Sequence, residues 1–75
     1  MSEFTYYLES LSGGSPLYIN AVDSNGIIVK YYAIRRKLWD SDSDIQSFEK
    51  YRDTIDSIRY KFTEMTEEEL FLMML

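Results

Sequence analysis

The stretch LYINAVDSNGIIVKYYAIRRKLW, residues 17–39, decides how this chain folds. Two β-prone runs flank Ser24-Asn25-Gly26. Asn-Gly between runs rich in β-branched and aromatic residues is the strongest short-range signal of a β-hairpin. A two-residue Asn25-Gly26 loop would pair Ser24 with Ile27 and set Ala21 opposite Lys30. A three-residue loop with Gly26 left-handed pairs Asp23 with Ile27 and Ala21 with Val29. The second register gathers Leu17, Ile19, Ala21, Ile27, Val29, Tyr31 and Ala33 on one face. A slip of one residue exchanges the faces, so the three-residue loop is the expectation. Tyr18, Asn20, Val22, Ile28, Lys30, Tyr32 and Ile34 then share the opposite face, half apolar and without an obvious cover.

Outward from the hairpin, EFTYYLESL alternates Phe4, Tyr6 and Leu8 against Thr5, Tyr7 and Glu9, the pattern of a half-buried strand over about 3–11. Ser12 to Pro16 form a connection, and strands are expected over about 17–23 and 27–37. The alternation of the third fails near Ala33–Arg36, where a bulge or the strand's end is expected. Asp40-Ser41-Asp42-Ser43-Asp44 is a run of helix-capping residues, and Ser43 with Gln46 reads as a capping box. A helix over about 43–62 would place Phe48, Tyr51, Ile55, Ile58 and Phe62 within an arc of about 80°. Thr66 with Glu69 reads as a second capping box, opening a short helix over about 66–74 whose first turn carries Glu67 and Glu68. The expected fold is α+β: a three-stranded antiparallel β-meander packed against one long amphipathic helix, plus a short C-terminal helix, in a single domain over residues 1–75.

Composition narrows the function. With 75 residues and no cysteine, the chain has one modest core and no disulfide to staple it. It has no histidine, which removes the usual metal ligand and the usual neutral-pH general base. Neither a signal-peptide pattern nor an apolar run of the roughly 18 residues that span a bilayer is present, so a cytoplasmic protein is expected. Net charge is −5, and all of it falls after residue 40, where nine acids face four bases. That asymmetry disfavours nucleic acid and favours a partner with a basic surface.

Candidate chemistry is sparse. Asp40-x-Asp42-x-Asp44 opens like a calcium loop, but Ile45 and Tyr51 stand where Gly and Glu are needed, so helix capping is the better account and no metal or cofactor is expected. No serine sits in a nucleophile elbow, and Gly13-Gly14 lacks the lysine of a phosphate loop, so an enzyme is not expected. Arg35-Arg36-Lys37 beside Trp39, Tyr31 and Tyr32 could stack and neutralise single-stranded nucleic acid, which makes a small nucleic-acid-binding module the runner-up. Three charges are a small footprint on a protein of net charge −5.

Binding to another protein is the leading expectation, through three surfaces. On the long helix Asp42, Glu49, Asp53 and Asp56 would form an outer acidic stripe with Tyr60 among them, spaced so as to imitate phosphates. Tyr18 and Tyr32 would present aromatic area on the open sheet face, and tyrosine is enriched at interface hot spots. The terminal run Leu70 to Leu75 is too apolar for one short helix to bury. Leu72, Met73 and Leu75 are therefore expected to meet a partner, or a second copy in a homodimer. In general make-up (tiny, acidic, cysteine-free, tyrosine-rich) the chain is similar to the small inhibitors that phages direct against host enzymes, including anti-CRISPR and anti-restriction proteins. That likeness is one of composition, carries no matching residues and implies a cytoplasmic protein-binding inhibitor. An adaptor subunit of a larger cytosolic complex would have the same make-up.

Overall fold

A computed structural model describes residues 3–40 and 45–75. Its elements are β1 (Thr5–Leu11), β2 (Pro16–Val22), β3 (Ile27–Ala33), β4 (Leu38–Asp40), β5 (Gln46–Ser47), α1 (Phe48–Thr54), β6 (Tyr60–Met65) and α2 (Glu67–Met73). The strands form one six-stranded antiparallel sheet in the order β4-β3-β2-β1-β6, with β5 also paired to β3. The fold is mostly β, which corrects the expected three-stranded meander under a long helix. No helix among the described residues is long and apolar enough to cross a membrane.

The helix expected over 43–62 exists only as the seven residues of α1. Its end has a local cause. The Thr54 hydroxyl donates to the Tyr51 carbonyl at 2.8 Å, and Ile55 is already extended at φ −86°, ψ 137°. The Asp56 carboxylate then accepts the Ile58 amide at 3.0 Å, an Asx turn that competes with helix. Past this turn the run YKFTEM alternates apolar and polar residues from Tyr60 to Thr63 and pairs along the outer edge of β1 from Tyr6↔Met65 to Leu11↔Tyr60. That edge was left bare by the hairpin, and its ladder outweighs the helical spacing of Ile55, Ile58 and Phe62. Ile58 is accordingly 85% exposed, not core.

The start of α1 also differs. Ser47 makes no side-chain cap bond. Instead the Phe48 amide donates to the Gly26 carbonyl at 2.8 Å, which ties the helix to the hairpin turn. Gln46 lies in β5, and Ser43 of the expected capping box lies outside the described residues. At the other helix Thr66 and Glu69 do form a reciprocal capping box.

Both hairpin registers occur, joined by a bulge. Near the turn Asp23 donates to the Ile27 carbonyl at 3.0 Å, Gly26 is left-handed at φ 77°, and Asp23 Oδ1 accepts from the amides of Asn25 and Ile27. Beyond Val22↔Ile28 the register shifts, so that Ala21 faces Lys30 and Ile19 faces Tyr32. The extra residue is Val29. The bulge turns Ile28 and Tyr32 to opposite faces, which corrects their expected placement together. The third strand ends at Ala33. Residues 34–37 turn, with Lys37 at φ 50°, and the chain returns as β4.

Alternation along β1 divides the core into two clusters on opposite faces. Tyr6 and Leu8 pack with Ile19, Tyr32, Trp39 and Met65 on one face, and Leu70 and Met73 of α2 cover them. Tyr7 packs with Val22, Ile28 and Phe62 on the other, under Phe48 and Tyr51 of α1. On that second face the Phe48 ring stacks on Tyr7 at 4.4 Å and meets Phe62 edge-on at 5.4 Å.

Candidate functional site: an exposed helix face and a buried carboxylate

The segment after β6 carries the most exposed apolar side chains that belong to a formed element. The capping box seats the start of α2, with the Thr66 hydroxyl accepting the Glu69 amide at 3.1 Å and Glu69 Oε1 accepting the Thr66 amide at 3.2 Å. Leu70 and Met73 face the core. Helical spacing then turns Phe71 and Leu72 outward, at 66% and 67% exposed, with Leu75 beyond the helix end at 77%. Two shallow grooves flank this ridge. One of about 360 Å³ lies against β6, lined by Leu8, Thr63, Glu64, Met65, Glu69, Leu72 and Met73. The other, of about 420 Å³, is bounded by Glu67, Glu68, Phe71 and Leu72. Apolar floor and carboxylate rim therefore coincide, and the last turn of α2 holds no basic residue.

Under α1 lies a polar group that sequence reasoning missed. Glu9 is 2% exposed, and its Oε2 accepts from the Tyr51 hydroxyl at 2.9 Å and from Asn20 Nδ2 at 3.3 Å. Burial, and then the charge of Glu9, push the Tyr51 phenol well above its usual value. Glu9 occupies a polar position in an alternating strand, and nothing local shows that a helix 42 residues away will cover it. At the sheet's far edge Tyr31 donates to Asp40 at 2.5 Å, and this bond to a carboxylate raises the phenol's pKa.

The expected site residues scatter. Asp42 lies outside the described residues, as does Asp44 of the calcium-like triplet. Glu49 and Asp53 are exposed on α1, Asp56 sits in the following turn, and Tyr60 begins β6, so no single helix carries the acidic stripe. Tyr18 is exposed and meets Tyr31 edge-on at 5.9 Å, whereas Tyr32 is buried on the opposite face. Leu72 and Leu75 are open, but Met73 is half-buried against the core. In the basic cluster Arg35, Arg36 and Lys37 are exposed in the turn. Trp39 is half-buried in β4, with Lys30 Nζ 4.5 Å above its ring. Among the described residues no group of three acidic side chains could hold a metal ion. No family model matches this chain, and no curated protein or solved structure matches it.

Proposed function

We propose that this protein works by binding another protein, and that the docking surface is the outer face of α2 formed by Phe71, Leu72 and Leu75. The observation that carries this reading is their exposure on an element already capped and already seated by other residues. About two-thirds or more of each is open, while Leu70 and Met73 hold the helix to the sheet. Removing such apolar area from water contributes about 25 cal/mol per Å² on binding. Glu67 and Glu68 frame the patch, so the matching partner offers an apolar pocket ringed by lysine and arginine. A small acidic inhibitor of the phage type would use this surface against the basic face of a host enzyme. An adaptor would use it against a neighbouring subunit.

The test compares the wild type with Phe71→Ser/Leu75→Ser and with a control, Ile45→Ser/Ile58→Ser, that removes equally exposed apolar side chains elsewhere. Proteins retained from lysate are quantified, and the one retained most strongly is purified and titrated by calorimetry. Loss of binding in the first variant alone, together with weakening at high salt, supports the reading. Equal retention by all three chains overturns it.

A further inference from the structure

We propose that β6 is a self-pairing edge, through which two copies of this chain join their sheets into one. The strand is bonded to β1 on one side, and among the described residues no strand pairs with its other side. Its polar backbone is ordered for pairing. Ser12 donates to the Arg59 carbonyl at 2.8 Å in the same register that sets Leu11 against Tyr60. Since bonded pairs alternate in an antiparallel ladder, Lys61, Thr63 and Met65 turn their N–H and C=O groups inward to β1. Phe62 and Glu64 turn theirs outward, as Tyr60 does its C=O, while the Tyr60 N–H is held by the Asp56 carbonyl at 3.0 Å. Proteins usually blunt such an edge with charged side chains, a proline, a bulge or extreme shortness, and of these β6 carries only the charges of Lys61 and Glu64. Here six residues run without proline, glycine or register shift, whereas the opposite edge is divided between β4 and β5, of three and two residues.

The sequence of the edge selects a second copy as the occupant. Antiparallel pairing about a dyad at Phe62 sets Phe62 against the second copy's Phe62 and Tyr60 against its Glu64, matching the N–H and C=O of Phe62 and the N–H of Glu64 with the C=O of Tyr60. On the α2 side, the same register sets Lys61 against Thr63. Thr63 lines the groove between β6 and α2, where Glu69 and Leu72 form the walls. Each Lys61 is thus brought to the acidic groove of the other copy, and each Leu72 loses water. Sliding the dyad to Thr63 keeps the backbone bonds but opposes Phe62 to Glu64 and Lys61 to Met65, so the first register is favoured. Of the docking face only Leu72 is shared with this interface, since Phe71 and Leu75 remain outside the joined sheet.

Sedimentation equilibrium over a concentration series tests it, with Glu64→Pro as the decisive variant. Proline at an outward-facing edge position removes no bond to β1, so circular dichroism and melting should stay close to wild type. Two interchain donors disappear, so dimer dissociation should rise roughly tenfold or more. A wild-type monomer at millimolar concentration overturns the proposal, as does a folded Glu64→Pro chain that dimerises undiminished. Cysteine pairing tests the register without proline. Residues 61 and 63 of opposite copies would stand about 4.5 Å apart at Cα, within disulfide reach. An oxidised mixture of Lys61→Cys and Thr63→Cys chains should then yield a mixed dimer that neither forms alone. Efficient cross-linking of Thr63→Cys with itself would overturn the Phe62 dyad.

Discussion

Tyr51→Phe isolates the link between α1 and the sheet, because it removes one hydroxyl and leaves the ring that packs on Phe62 at 6.0 Å. The hydroxyl is one of two side-chain donors on Glu9 Oε2, and Glu9 is 2% exposed. A hydrogen bond to a charged group contributes about 1.5–3 kcal/mol, and a buried acceptor that loses its donor keeps its desolvation cost. Tyr51 itself is only half-buried, so water can partly replace the hydroxyl. The lower end, about 1.5 kcal/mol, is therefore the expected loss. For a domain of this size that is a fall in Tm on the order of 10 °C. Urea melts followed by circular dichroism would measure it. A cycle with Glu9→Gln should show coupling of about 1 kcal/mol between the two positions. A Tyr51→Phe change below about 0.5 kcal/mol, with no coupling to Glu9, would refute the idea that this bond holds the helix down.

Alkaline pH should act on the same contact. The folded protein holds the Tyr51 proton after the unfolded chain has released it. Stability should therefore be full below the ordinary tyrosine value of about 10 and fall as pH rises beyond it. Melts on either side of that value should show a shallower fall in Tyr51→Phe. Phe48→Ala should cost about 3–5 kcal/mol because its buried ring joins the hairpin to β6. Ile58→Ala should stay within about 0.5 kcal/mol, as for other surface positions, and a larger loss would restore the long helix. Gly26→Ala should cost roughly 1–2 kcal/mol through its left-handed backbone alone, because a Cβ there meets nothing within 4 Å. Denaturant midpoints decide all three.

The hairpin was legible because its determinants are local. Asn25-Gly26 sets the turn, and residues 17–22 and 27–33 are β-branched and aromatic. The Thr66–Glu69 cap was legible for the same reason. The bulge at Val29 was not, because either register satisfies the turn, and the choice along the rest of the strand rests on which residues the helices cover. The segment from Ile55 to Met65 carries helical and strand periodicity together. It becomes strand only because β1, some 50 residues earlier, offers an open ladder. Glu9 was unreadable as a site because the Tyr51 that buries it arrives from across the fold. The outward side of α2 was legible as excess, since six consecutive apolar residues exceed what one short helix can bury.

The position of β1 between β2 and β6 sets the order in which the molecule can be made. Pairing Tyr6 with Met65 closes a loop of nearly the whole described chain, whereas the β1–β2–β3 meander closes through turns of a few residues. Long closures cost more chain entropy and come late, so the meander should assemble first and wait with a bare flank. During synthesis that flank stays open until residues 60–65 leave the ribosome, a period in which another nascent chain can pair with it. The last strand to emerge thus both completes the sheet and ends the interval of greatest exposure to misassembly.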